Sequence, residues 1–598
     1  MTGGFLEAVE ARLALPLVEG PDKVLPLDEA IRRHARPEMT LHLSTAHARP
    51  QAAVYELMRQ FWGRDPRFTV VAVGLTGAWV ALVHGGLTRR VVTSFCGESY
   101  PSPAPSPLLD AAWRRGAVEI QNWSILSLPL RLLAGAMGLP YLPTRSLLGS
   151  TMEEANAGDV VAADDPFGGG GRVALVRALV PDLSLVHGLA ADRAGNTLLP
   201  APAGEGVYGA LAAREGAVVT VERIVPTEVI RRHAHLVRLP GTHVRAVAEA
   251  PLGGHPGGML SPLAATAGVA GYAEDYEFAR VQREAFAEPR TAEAWLTEWV
   301  FGCPSPAEYA RRLGPARVAA LRAAADPEAW RAELAGLAPT IPTMPAASEG
   351  EMLAVTAARR IAARVRAAGL TTLLAGIGVS NLAAWLAAYA LKADGVPVEL
   401  MAEIGMFGYL PRAADPFIFS TRNFPAAKSL SDILTVMGQL MGGRWNRSLG
   451  VLGAGQVDRA GNINSTLIPG RRYLTGSGGA NDVCSAAAEV LVAVAQDRNR
   501  FVEKVPYVTG PGRAVRTVVS QLGIFEKEDA HGELILTGYL PAAGPHAEAA
   551  VSAIRAACGW EVRVAPGLRV EAPATIEELW LLRAFDPRRQ FLGARPDA

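Results

Sequence analysis

The chain has 598 residues, more than a single hydrophobic core can use, so two or more domains are expected. Hydrophobic residues make up 49% and charged residues 19%, a composition that excludes a large disordered part. Basic and acidic residues balance at 58 each, so no global field draws the protein to nucleic acid or to an anionic membrane, and neither is expected as a partner.

Cys96, Cys303, Cys484 and Cys558 lie far apart, which argues against a disulfide framework or a zinc site and fits a reducing cytoplasm, the expected location. The N-terminus carries Glu7, Glu10 and Arg12 and has no basic-then-apolar pattern, so a signal peptide is not expected. The longest apolar runs are broken by Arg131 or Lys392, and no bilayer span is expected.

In chain order, a helix opens at 27–31, and a short strand at 40–43 precedes a helix near 52–59. A strand at 68–74, a helical stretch at 78–84 and a strand at 91–95 that runs into Cys96-Gly97-Glu98 come next. Short apolar strands alternating with helices are the signature of a mainly parallel, helix-covered sheet. Gly168-Gly169-Gly170-Gly171 reads as a turn before a strand at 173–176; with no helix after it, it is not a phosphate-binding loop. The histidines His42, His47, His187, His233, His235, His243 and His255 show no metal-like spacing, so no metal is expected. Phe61, Trp62 and Trp123 read as core or interface residues.

Asp192-Arg193-Ala194-Gly195-Asn196 recurs as Asp458-Arg459-Ala460-Gly461-Asn462, each time after an apolar run. Asp and Asn around a glycine suit a tight turn. Other pieces follow in the same order: Val71-Ala72-Val73-Gly74 pairs with Leu374-Ala375-Gly376-Ile377-Gly378, and the acid of Cys96-Gly97-Glu98 pairs with that of Ala402-Glu403-Ile404-Gly405. The expected fold is therefore α/β, with two related open, mainly parallel domains and a helical connector. The first domain is expected over 1–345, with a helical extension over 262–345 that ends in the proline-stiffened linker 339–345. The second is expected over 346–598 and opens with an amphipathic helix at 352–366.

Glu403 ends an apolar strand and is followed at once by glycine, a common way to present a carboxylate at the edge of an open sheet; capping or solvation is the plainer alternative. Gly476-Ser477-Gly478-Gly479-Ala480 precedes a helix-like stretch at 483–494. It reads either as a plain helix-entry turn or as backbone that a ligand can approach closely. Asn481 and Asp482 are expected to cap that helix.

With these motifs in hand, the second half resembles the β subunit of glutaconate-type family I coenzyme A transferases. It does so through Gly376-Ile377-Gly378, Glu403-Ile404-Gly405, Gly455-Gln456-Val457-Asp458, Gly461-Asn462-Ile463-Asn464, Gly476 to Asp482, Phe501-Val502-Glu503-Lys504 and Gly523-Ile524-Phe525-Glu526. The first half resembles the α subunit through Gly135-Ala136-Met137-Gly138-Leu139-Pro140, Pro143-Thr144-Arg145-Ser146, the Asp192 turn and Gly253-Gly254-His255-Pro256. The resemblance implies two subunits fused in one chain. It also implies transfer of CoA from an acyl-CoA to a free carboxylic acid by a ping-pong route through a glutamyl-CoA thioester on Glu403.

It further implies coenzyme A and acyl-CoA as substrates, no permanently bound cofactor, and a homo-oligomer such as a dimer of fused chains. Gly376 and Gly378 are the expected oxyanion donors. Gly476, Gly478, Gly479 and Ala480 are expected to meet CoA. Glu98 is the candidate second acid; the preferred reading makes it a surface residue at a strand end. The segment Leu43-Ser44-Thr45-Ala46-His47-Ala48-Arg49-Pro50 departs from the glycine-rich turn of the family, which bears on acyl specificity. An acyl-CoA hydrolase, or a ring-opening hydrolase of a CoA thioester, is the alternative activity on this fold, and a non-catalytic CoA-binding scaffold is the third.

Overall fold

The computed structural model describes residues 2–14, 20–45, 48–169, 171–261, 264–265 and 267–593. Ala46 and His47, within the departing segment, and Gly170, within the glycine run, lie outside the described residues.

The parallel body of the nine-stranded first sheet is β1 (Thr40–Leu43), β2 (Phe68–Thr76), β3 (Thr88–Gly97), β4 (Glu119–Asn122), β5 (Leu183–Ala191), β6 (Ala217–Ile224) and β7 (Val244–Glu249). These strands lie in the order β7-β6-β5-β1-β2-β3-β4, with every neighbouring pair parallel. Every residue of β2 and of β5 is buried, as expected where helices cover both faces of a parallel sheet. Helices Tyr276–Ala285, Pro289–Leu296, Pro306–Leu313 and Pro315–Ala324 supply Phe278, Trp295, Tyr309 and Leu321 to the same core.

The second sheet has a parallel centre of β8 (Thr372–Ala375), β9 (Glu399–Ala402), β10 (Ser448–Leu452), β11 (Glu489–Ala493) and β12 (Val515–Val519), in the order β9-β8-β10-β11-β12. Antiparallel strands extend it on both sides. Its cover includes helices Glu349–Ala368 and Val379–Ala393, which pack on each other and bury Leu353, Ile361, Leu382 and Trp385.

The order β2-β1-β5-β6-β7 matches β9-β8-β10-β11-β12, so the two halves share one topology. The repeated pentapeptide sits at the same point in both, just after β5 and just after β10. Asn196 Nδ2 donates to Asp192 Oδ2 (2.8 Å) and Asn462 Nδ2 to Asp458 Oδ2 (3.0 Å). The two asparagine Oδ1 atoms accept the N–H groups of Gly241 (2.9 Å) and Gly512 (2.8 Å), each shortly before the start of β7 or β12.

This topology corrects the strand pairing read from the sequence. β2 corresponds to β9, and β1 to β8; Cys96-Gly97-Glu98 ends a strand one place further out than the counterpart of Glu403. An apolar run ending in glycine recurs after several strands, so motif matching alone slips by one. The helix expected over 483–494 is also corrected: helix Ala480–Ala486 ends early, and Glu489–Ala493 is β11, whose Val490 and Val492 suit a central strand.

Candidate active site at the junction of the halves

In each sheet the strand order reverses beside the first strand, between β1 and β5 and between β8 and β10, the place where open α/β sheets leave a crevice beyond their carboxyl ends. The two crevices meet because the segment before helix Ala480–Ala486 lies along the end of β3. Cys96 N–H donates to Thr475 O (2.7 Å), Gly478 N–H to Ser94 O (2.9 Å), and Ile125 N–H to Gly478 O (3.0 Å).

Glu403 stands at this junction, half-buried, in the turn that leaves β9. Gly405 closes the turn, with its N–H on Ala402 O (3.1 Å) and φ at +124°; a side-chain carbon there would lie 2.7 Å from the Asp432 nitrogen. Only glycine tolerates that conformation and that contact. The N–H of Gly479 hydrogen-bonds the Glu403 carboxylate. Burial, and then the nearby charge of Asp482, push the Glu403 carboxyl up to about 7, against the smaller opposing effect of that bond. Burial likewise raises Asp482 to about 6.

Two cavities open on Glu403. One, of about 270 Å³, lies over the ends of β1, β2 and β3 and is lined by Arg49, Glu98, Tyr100, Glu274, Tyr276 and Phe417 among others. The other, of about 620 Å³, lies over the ends of β8 and β10 and is lined by Gly376, Gly378, Gly476, Gly478, Gly479 and Ala480, with Arg472 and Arg500. The structure thus brings Gly376, Gly378, Gly476, Gly478, Gly479 and Ala480 to one cavity with Glu403.

Several expectations need correction. Glu98 is not a surface residue: it is 6% exposed and shares the smaller cavity with Glu403. Burial raises its carboxyl, opposed chiefly by the charge of Arg283. Gly376 N–H donates to Val451 O (2.8 Å) and Gly378 N–H to Asn381 Oδ1 (2.8 Å), so neither is free to meet an oxyanion. Asn481 and Asp482 do not cap their helix. Asn481 Oδ1 accepts Leu147 N–H (2.8 Å), while Asp482 accepts Ser124 Oγ–H (2.6 Å) and Leu126 N–H (3.0 Å). Both therefore tie the second half to the first.

Trp123 is fully buried under Arg131, and Phe61 and Trp62 pack on Phe68 and Phe301, as core residues. His42, His187 and His255 are buried and hydrogen-bonded to Ser184, Thr220 and Tyr309. Among the described residues no cluster of three or more His, Cys, Asp or Glu could hold a metal ion, and no helix is long and apolar enough to cross a membrane. The sequence reading missed Arg49, Glu274 and Tyr276, which reach the cavity only through long-range folding; a departure from the family pattern was the one signal, and it applied to Arg49.

Paired doubly wound sheets with a half-buried carboxylate between two cavities define the site of an α/β protein. The family pattern described as coenzyme A transferase matches residues 24–250 and 443–543. One of the two polypeptides of the 3-oxoadipate CoA-transferase of Pseudomonas knackmussii is 32% identical over 269 residues, covering 41% of this chain and 95% of the relative. One of the two polypeptides of the glutaconate CoA-transferase of Acidaminococcus fermentans is 26% identical over 316 residues, covering 50% of this chain and 94% of the relative. In fold, an acyl-CoA transferase crystal structure from Escherichia coli O157:H7 aligns over 94% of this chain and 98% of its own, with a TM-score of 0.63 at 14% identity. The chain belongs to the coenzyme A transferase family. It is a CoA-transferase, acting between an acyl-CoA and an acid, and its single polypeptide spans what those two bacterial relatives divide between separate polypeptides.

Proposed function

We propose that the chain exchanges CoA between an acyl-CoA and a free carboxylic acid by a ping-pong route with Glu403 as the covalent carrier. One observation carries this reading: among the described residues, Glu403 is the only ionisable side chain that lines both cavities. The acyl group occupies the smaller cavity and CoA the larger. The Glu403 carboxylate attacks the thioester carbonyl; the C–S bond breaks, CoA leaves as thiolate, and a mixed anhydride remains. The thiolate then attacks the glutamyl carbonyl, the first acid departs as carboxylate, and a glutamyl-CoA thioester is left. The second acid's carboxylate attacks that thioester, and the same steps run in reverse to release the new acyl-CoA.

No proton moves in this sequence, so the protein's task is positioning and electrostatics. Desolvation keeps the Glu403 carboxylate free of water that would blunt its attack. When the glutamyl carbonyl becomes tetrahedral, its oxyanion forms at the carboxyl oxygens that Gly479 N–H serves, which makes Gly479 the oxyanion donor in place of Gly376 and Gly378. A division into domains at 345/346 fits this reading: β1 to β7 end at Glu249, the helices after them pack on the first core, and β8 begins at Thr372.

Glu98 supports a second reading, hydrolysis. A buried carboxyl with a raised pKa in the acyl cavity is placed to act as a general base on water. Mass spectrometry of products from a panel of acyl-CoAs with labelled carboxylic acids separates the two. Label in new acyl-CoA supports transfer; free CoA and unlabelled acid alone would support hydrolysis.

A further inference from the structure

The turn that carries Glu403 leans on a second segment, residues 431–433. Gly405 O, in that turn, accepts both the N–H (2.7 Å) and the hydroxyl (3.2 Å) of Ser431. Just beyond it, Met406 and Phe407 pair antiparallel with Leu430 and Ser429. Gly405 approaches the Asp432 nitrogen too closely for any side chain to fit between them. Where 431–433 sits therefore decides where the turn sits.

The first half holds 431–433 in place. Ala203 N–H donates to Ser431 O (2.8 Å), and Ile433 N–H donates to Gly204 O (3.3 Å). Tyr208, on helix Gly206–Ala212, donates its hydroxyl to Asp432 Oδ2 (2.9 Å), while Asp432 Oδ1 accepts Thr435 N–H (2.8 Å). Both oxygens of the Asp432 carboxylate are thus engaged. Burial, and then the charge of Asp432, hold the Tyr208 hydroxyl well above the usual phenol range, so it donates as a neutral group.

The same stretch of the first half also reaches the wall of the smaller cavity. Glu205, fully buried, accepts Thr45 N–H (2.7 Å), and Thr45 and Ile433 both line that cavity. Residues 203–208 therefore tie part of the cavity wall and the support of the Glu403 turn to one another. Tyr208 itself lies outside the lining of either cavity that opens on Glu403. Its bond to Asp432 joins two side chains, so a substitution can remove it and leave the backbone contacts of 203–204 intact.

We infer that Tyr208 is a positioning residue for the reaction: through Asp432 it fixes segment 431–433, and with it the Glu403 turn, against the first half. The inference rests on the reading of Glu403 as acyl acceptor. A group that aims the reacting carboxylate without touching substrate acts on the chemical step and not on binding.

Tyr208→Phe keeps the ring and removes the hydroxyl; Asp432→Asn keeps an oxygen for Thr435 N–H and removes the charge. The measurement is the single-turnover rate of adduct formation on Glu403, read by quench and peptide mass mapping over a range of acyl-CoA concentrations, beside a thermal melt. The probe is glutaryl-CoA or butyryl-CoA, whichever the wild type turns over faster. Tyr208→Phe should lower the saturating rate about tenfold, the scale of one buried hydrogen bond to a charged group, and leave the half-saturating concentration within about twofold. The double variant should be no slower than the slower single variant, because both changes break the same link. A wild-type saturating rate in Tyr208→Phe, whatever its melt, would overturn the inference. So would a loss confined to the half-saturating concentration, or losses that multiply in the double variant. The two proposals separate cleanly: no Glu403 adduct in the wild type removes both, whereas an adduct formed equally fast in Tyr208→Phe leaves the ping-pong reading standing and removes this one.

Discussion

Gly479 and Glu403 share one contact surface: the Gly479 N–H bonds the carboxylate, and a side-chain carbon at 479 would collide with Glu403 Oε2. The glycine is needed for space and not for conformation, since its φ is −83°. Gly479→Ala should therefore fold normally yet move the carboxylate off its donor. A displacement of that kind lowers kcat by about a hundredfold. Steady-state kinetics beside a thermal melt checks this; wild-type kcat with an unchanged melt would show that the contact has no part in turnover.

The acid limb of the pH profile should belong to Glu403. The attacking form is the carboxylate, and the carboxyl sits at about 7, so kcat/KM should rise with pH and level off above about that value. After burial, the charge of Asp482 is the next cause of that elevation. Asp482→Asn removes the charge and should shift the limb to lower pH. A limb that stays in place or moves up would contradict this assignment.

Glu351 is buried with Arg583 (2.8 Å) and Arg589 (2.7 Å), joining the first turn of helix Glu349–Ala368 to the C-terminal segment. Burial alone would raise its carboxyl, but the hydrogen bonds from Arg583, Ser348 and Arg589 hold it below the ordinary glutamate value. Its contribution to stability is thus present above the unfolded-state value and lost as pH falls through the lowered folded one. Glu351→Gln should cost about 3–5 kcal/mol at neutral pH, because two arginines lose their shared charge. The difference from wild type should shrink in acid. Urea unfolding at two pH values reads both effects.

The duplicated turns should be energetically alike. Asn196→Ala and Asn462→Ala each remove the acceptor for one glycine N–H and one bond to aspartate. Each should destabilise its half by roughly 1–3 kcal/mol. Hydrogen exchange resolved by half would reveal a strong asymmetry, which would speak against equivalent roles.

What could be read from the sequence was local. Largely apolar strands such as Phe68–Thr76, the Asp192 and Asp458 turns, and the strand leading to Glu403 announce themselves through composition and nearest neighbours. The junction does not. Whether Glu98 is buried depends on Ala104 and on the Thr475 segment folding against the end of β3, and whether Gly376 N–H is free depends on Val451, far along the chain. The Ala-rich stretch after Ala480 suits a helix by propensity, and its place between β10 and β12 makes its second part a strand. The segment holding Arg49 stood out only as a departure from the family pattern, with nothing to say where its side chain goes; its cavity is assembled from the ends of three strands, the helical segment after the first sheet, and a loop of the second half.

The most direct measurement is peptide mass mapping after incubation with acyl-CoA alone, followed by hydroxylamine, which converts an activated glutamyl carbonyl to a hydroxamate. The account predicts modification of the peptide carrying Glu403, dependent on acyl-CoA, and abolished together with CoA exchange in Glu403→Ala. Full turnover with an unmodified Glu403, or exchange that survives Glu403→Ala and disappears in Glu98→Ala, would contradict it.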